Sequence, residues 1–113
     1  MVRKNYIPER GDIVWLDFNP QSGHEQKGKR PAVVLSPKEY NEKTGLGLFC
    51  PITSKVKDYP FEVKIANKKI AGVVLSDQIK SLDWKTRKIE FITTETVETL
   101  KDITDKISAL LFE

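Results

Sequence analysis

The chain is poor in the two side chains that most often carry site chemistry: among 113 residues there is one cysteine, Cys50, and one histidine, His24. A single cysteine closes no internal disulfide. Cys50 sits in the apolar run LGLFCPI and reads as a core residue, with no basic neighbour in sequence to make it a thiolate. A single histidine excludes a two-histidine acid–base pair within one chain. His24 titrates near neutral pH in principle but reads as a solvated loop residue. CxxC, HxH and HExxH patterns are missing, so no metal is expected, and no cofactor. Neither a Gly-rich nucleotide loop after a strand nor a GxSxG elbow occurs. No apolar run approaches the roughly 20 residues that cross a bilayer. The opening MVRKNYIPERGD has basic residues without an apolar core behind them, so no signal peptide is expected and the protein reads as cytoplasmic. Repeats, low-complexity tracts and linkers are missing too.

What is present fits one globular domain over residues 1–113, with 39% apolar and 31% charged residues. The net charge of +3 is unevenly placed. Residues 1–57 hold ten Lys/Arg against six Asp/Glu, and residues 58–113 hold nine against ten. A basic N-terminal half fits an anionic partner, RNA or DNA above all; solubility alone is the plainer reading of the same charge.

Strand patterns recur at close spacing. DIVWLDF (12–18), AVVLS (32–36), GLFCPIT (47–53), FEVKI (61–65), GVVLS (72–76) and RKIEFIT (87–93) are β-branched or alternating runs between turn-formers. Ser36-Pro37-Lys38-Glu39 has the form of a capping box with proline at the first helical position, which predicts a short helix to about Lys43, ended by Thr44-Gly45. DQIKSLDW reads as irregular, with one helical turn at most. From Thr94 to about Leu111 the apolar positions Val97, Leu100, Ile103, Ile107, Leu110 and Leu111 recur at three-and-four spacing, an amphipathic helix capped by Thr93 or Thr94. The sum is a mainly β fold with helices (α+β): a small, strongly bent barrel or sandwich closed on one side by the last helix.

The polar residues that stand out are at strand ends. Residues 19–30, NPQSGHEQKGKR, form a long loop of turn-formers and charges that runs into a strand at Arg30. Glu25, Gln26 and Lys29 lie just before it. An arginine fork at a strand end suits a phosphate; a surface arginine beside a loop glutamate is the equal alternative. Thr53 ends the strand LFCPIT, where its hydroxyl can bond a phosphoryl oxygen or simply the nearby backbone. Asp77-Gln78 follows GVVLS. Three such junctions can converge at one end of a small barrel.

Over most of its length the chain resembles the MazF/PemK family of bacterial toxin endoribonucleases, the mRNA interferases, and most closely the MazF branch. The resemblance rests on Gly11-Asp12, Trp15-Leu16-Asp17-Phe18, the block Glu25-Gln26-x-Gly28-x-Arg30-Pro31-Ala32-Val33-Val34-Leu35-Ser36-Pro37, Tyr40-Asn41-x-Lys43-Thr44-Gly45, Pro51-x-Thr53, Tyr59-Pro60-Phe61-Glu62-Val63, Asp77-Gln78-x-Lys80-Ser81 and Trp84. It implies an SH3-like β-barrel with a C-terminal helix, working as a homodimer. It implies metal-independent, sequence-specific cleavage of single-stranded mRNA, in which the 2′-hydroxyl attacks the adjacent phosphate and leaves a 2′,3′-cyclic phosphate and a 5′-hydroxyl. The resemblance assigns catalysis to Arg30 and Thr53, with Glu25 in support. RNA contacts are expected from Gln26, Lys29, Asn41, Lys57, Asp77, Gln78 and Lys80. A cognate antitoxin with an acidic, disordered tail is the expected protein partner. His24 stands where relatives often carry a small polar residue and takes no role.

The reaction needs a base, charge stabilisation on the phosphorane and an acid. Guanidinium holds its proton too tightly to be a base, so Glu25 takes the 2′-hydroxyl proton, Arg30 stabilises charge and serves as the acid, and Thr53 holds a non-bridging oxygen. Two competing readings share the fold. A CcdB-like gyrase poison carries a C-terminal tryptophan followed by glycine, whereas this chain ends Ala-Leu-Leu-Phe-Glu with no tryptophan after Trp84. A non-catalytic SH3-like RNA-binding module would bind RNA without cutting it.

Overall fold

In the computed structural model, residues 5–18, 28–65 and 67–112 are described. The sequence expectations on Glu25, Gln26 and His24 fall outside them. Among the described residues, seven strands and two helices follow one another as β1 (Asp12–Asp17), β2 (Lys29–Val34), α1 (Lys38–Thr44), β3 (Leu46–Thr53), β4 (Glu62–Lys64), β5 (Val73–Leu75), β6 (Lys80–Asp83), β7 (Glu90–Thr94) and α2 (Val97–Phe112). All pairings are antiparallel, in the order β4-β5-β3-β2-β1-β7, with β6 on β3. The sheet bends at β3. Its first half, Leu46–Phe49, pairs with β6, and its last residues, Ile52 and Thr53, pair with β5. This change of partner along one strand gives the small bent β-fold that the sequence predicts.

Both faces of the central strands are covered, which is why their sequences read as nearly unbroken apolar runs. On one face Ile13, Val33, Cys50, Ile52, Val63 and Val74 pack with Ile103 of α2. On the other, Val14, Leu16, Ala32, Val34 and Phe49 pack with Trp84. Ile103 is fully buried, a contribution of roughly 1.5–3 kcal/mol for one side chain. The far end of α2 is different: Leu110, Leu111 and Phe112 are exposed. Among the described residues, no helix is long and apolar enough to cross a membrane.

Three local expectations need correction. The segment around Lys80–Asp83 is a strand, not an irregular turn; its exposed KSLD pattern becomes β-structure only because the first half of β3 offers it a ladder. The capping box at Ser36 does not form. Pro37 is the N-cap, without a side-chain cap, because the Ser36 hydroxyl donates to Asn41 Oδ1 (2.6 Å) and accepts the Leu48 N–H (2.9 Å). The last helix is capped by Thr96, whose Oγ1 accepts the Thr99 N–H at 3.1 Å, beyond the expected Thr93 or Thr94. Thr94 is still paired to β1, opposite Asp12.

Candidate active site

Two of the three expected junctions meet. The β2–β3 register pairs Ala32 with Pro51, and continued by two residues it sets Arg30 opposite Thr53, on strands about 5 Å apart. Arg30 also faces Leu16 of β1, and Thr53 faces Val73 of β5. Arg30 and Thr53 line one open depression of about 390 Å³, with Trp15 and Pro31 on one side and Lys69 and Ile70 on the other. The arginine is solvent-exposed and the threonine half-buried, so a guanidinium fork and a hydroxyl are presented together from adjacent, rigid strands.

The Thr53 hydroxyl has a local partner: Oγ1 accepts the Lys55 N–H at 3.1 Å. That bond leaves the hydroxyl proton available, so backbone bonding and donation to a phosphoryl oxygen are compatible. Close packing fixes the carrier of this side chain. A Cβ on Gly72 would lie 2.3 Å from the Thr53 carbonyl oxygen, and Gly72 has φ +132°. Only glycine lets β5 approach the end of β3 so closely.

Sequence reasoning missed Lys69 and Trp15. Lys69 follows Asn67, whose Oδ1 accepts the N–H groups of Lys69 (2.9 Å) and Ile70 (3.1 Å), an Asx-type turn that sends the lysine to the depression. It adds another cation, and among the described residues that line the depression none is acidic. Trp15 was findable: it is the one outward position in the β1 burial pattern BBBeBB, and an exposed indole in a run of core residues is a ready stacking surface for a base.

Asp77 and Gln78 do not join this depression. Continued along β3–β5, the register places Asp77 level with Phe49, four residues from Thr53, about 13 Å along the strand. Asp77 Oδ1 instead accepts the Tyr59 hydroxyl proton at 2.7 Å. That bond, more than burial, pushes the Tyr59 phenol up to about 12. Lys80 pairs with Phe49 at the same level. Asp77, Gln78, Lys80 and Lys57 are exposed and are not among the described residues that line the depression. Lys29 is half-buried and lies 3.7 Å from Glu90, a surface pair of small energetic weight.

Asn41 is a correction. It is fully buried, and its side chain is committed: Nδ2 donates to the carbonyls of Pro8 (2.8 Å) and Ser36 (3.1 Å), and Oδ1 accepts the Ser36 hydroxyl. Its carbonyl accepts the Trp84 indole N–H at 3.2 Å. It ties the N-terminal segment, α1 and the second core together, and no RNA can reach it. Cys50 is the expected core thiol, buried among Val33, Ile52 and Val74. Burial, aided by the charge of Asp77, pushes it up to about 12.

Comparisons with known proteins give the family. A family model described as a PemK-like, MazF-like toxin of type II toxin-antitoxin systems matches residues 9–111. The endoribonuclease toxin MazF of Escherichia coli (strain K12) is 47% identical over 106 residues, covering 94% of this chain and 96% of that protein. Endoribonuclease PemK of Escherichia coli is 32% identical over 92 residues, covering 77% and 69%. The crystal structure of MazF from Deinococcus radiodurans superposes with a TM-score of 0.87 at 46% identity, covering 96% of this chain and 100% of that one. A MazE–MazF crystal structure from the same organism gives a TM-score of 0.84 at 42% identity, covering 95% and 97%. A guanidinium and a hydroxyl on adjacent strands, in a chain matched almost end to end, place this protein in the PemK-like, MazF-like toxin family of type II toxin-antitoxin systems.

Proposed function

We propose that this chain is the toxin of a type II toxin-antitoxin pair and a metal-independent endoribonuclease that cuts single-stranded mRNA at a short sequence, stopping translation and growth. The observation that carries the proposal is the shared depression of Arg30 and Thr53. A scissile phosphate seated there takes two parallel hydrogen bonds from the Arg30 fork and one from the Thr53 hydroxyl. Both strengthen as negative charge grows on the phosphorane, so they favour the transition state over the ground state. Lys69 adds positive potential from the opposite wall.

The 2′-oxygen attacks phosphorus, its proton passes to Glu25, and the bond from phosphorus to the 5′-oxygen breaks. Arg30 protonates the departing oxygen. The products are a 2′,3′-cyclic phosphate and a 5′-hydroxyl whose new proton comes from Arg30; the proton taken by Glu25 returns to Arg30 through solvent and closes the cycle. Trp15 offers a face on which a flanking base stacks. Asp77, Gln78, Lys80 and Lys57, farther along the molecule, meet RNA beyond the cut, and Gln26 and Lys29 meet it near Arg30.

The same reading gives the partners and setting. The chain works in the cytoplasm as a homodimer of one-domain subunits spanning residues 1–113. An antitoxin with an acidic, disordered tail competes with RNA for the basic surface. Purified protein incubated with single-stranded RNA in EDTA tests the proposal. Cleavage with cyclic-phosphate and 5′-hydroxyl ends, abolished by Arg30→Ala, is the expected result. Binding without cleavage would instead identify an RNA-binding module.

A further inference from the structure

We propose that Arg87 is a positioning residue for the cleavage site, acting through the neck where the chain leaves β1 and returns to β2. The proposal rests on the endoribonuclease reading above. Arg87 Nη1 donates to the carbonyls of Asp17 (3.1 Å) and Phe18 (3.2 Å). The Arg87 carbonyl accepts the Asp17 N–H at 2.9 Å, and the Phe18 N–H donates to the Gly28 carbonyl at 2.7 Å. One guanidinium therefore grips Asp17 at the end of β1 and Phe18 just after it, and Phe18 grips Gly28, the residue before β2. In the β1–β2 register Asp17 faces Lys29, and Leu16 faces Arg30. Where Asp17 and Phe18 sit decides where Arg30 starts.

The turn that delivers Arg87 is built against its own stability. Arg87 Nε is buried and has no hydrogen-bond partner among the described residues. Among the described residues, the carboxylate paired with it is Asp83, 4.0 Å from Nε and engaged by the Thr86 hydroxyl. Lys88, the next residue, has φ +55° without being glycine, a conformation that side chains disfavour. Two unfavourable features at one turn, whose product is a grip on the neck, point to a requirement of function.

The test compares Arg87→Met and Arg87→Lys with the wild type, by thermal melting and by kcat and KM for cleavage of single-stranded RNA. Arg87→Met leaves the Asp17 and Phe18 carbonyls without this donor and should melt a few degrees below the wild type, so rates are compared per folded molecule well below both melting points. Its kcat should fall roughly 100-fold, the scale of a 1 Å misplacement, with KM nearly unchanged. Arg87→Lys, whose ammonium reaches the same carbonyls, should recover most of the loss. In an Arg30→Ala background, Arg87→Met should add almost nothing. Wild-type turnover in Arg87→Met, or loss explained by the unfolded fraction alone, overturns the proposal. A wild type that cleaves nothing overturns the endoribonuclease reading instead. Arg87 is then judged by the amide NMR shifts of Phe18, Gly28 and Arg30 in Arg87→Met: movement supports the grip and constancy refutes it.

Discussion

Replacing Gly72 with alanine should damage stability and cleavage together. The added Cβ would stand 2.3 Å from the Thr53 carbonyl oxygen and 2.9 Å from its carbonyl carbon, both backbone atoms that cannot rotate away. Ordinary contact begins near 3.4 Å, so β5 and the end of β3 must part by about 1 Å. The φ of +132° adds a second penalty, because alanine avoids that region. Backbone strain of roughly 1–3 kcal/mol and overpacking of similar size give a loss of roughly 2–6 kcal/mol. For a domain of this length that lowers the melting temperature by roughly 10–20 °C. Because the atom displaced belongs to Thr53, cleavage per folded molecule should fall as well, by roughly 100-fold for a shift of 1 Å. Gly45→Ala is the control: φ is +73° but the nearest atom is Lys85 Cε at 4.0 Å. It should cost only about 1–2 kcal/mol and leave the rate per folded molecule unchanged. Circular-dichroism melts and single-turnover cleavage below the melting point measure both effects. If Gly72→Ala loses no more than Gly45→Ala in either assay, the close approach of β5 to Thr53 is not what holds the site.

Other outcomes follow from single side chains. Cys50, pushed up to about 12 by burial, should resist aromatic disulfide reagents at pH 8 and react only on unfolding; labelling of the folded protein at the speed of a free thiol contradicts its placement. Asn41→Ala leaves the Pro8 and Ser36 carbonyls without a donor and should cost roughly 2–4 kcal/mol, with RNA affinity per folded molecule unchanged; a selective loss of affinity would restore it as an RNA contact. Tyr59, held near 12 by its bond to Asp77, should titrate closer to 10 in Asp77→Asn, as followed by ultraviolet spectroscopy. Its folded value lies above the unfolded one, so the pair contributes stability below about pH 10 and loses it as pH rises towards 12. An unchanged alkaline titration in Asp77→Asn shows that the bond is not formed.

The elements that local pattern alone could reveal were legible. The apolar runs of β1 and β3 and the three-and-four spacing through Ile103 and Ile107 gave strands and helix in the right places. Long-range pairing was not. Lys80–Asp83 has no strand pattern of its own and exists as β6 only because β3 bends away from β5. Ser36 looks like a cap in sequence, but its hydroxyl is drawn instead to Asn41 and Leu48. At the site, Arg30 and Thr53 were recognisable by residue type and by family resemblance. Their union depends on a register that no turn signal between residues 34 and 46 specifies. Asp77 belongs with Tyr59 for the same reason: β5 spans three residues and runs antiparallel to β3, so its far end carries Asp77 away from Thr53.

The central claim, that Arg30 and Thr53 act on one phosphate, is tested most directly by a double-mutant cycle on single-turnover RNA cleavage with Arg30→Lys, Thr53→Val and both together. Groups that share a reacting centre are strongly non-additive. The double variant should therefore be little slower than the slower single one. Losses that multiply in full would show the two side chains working at separate places.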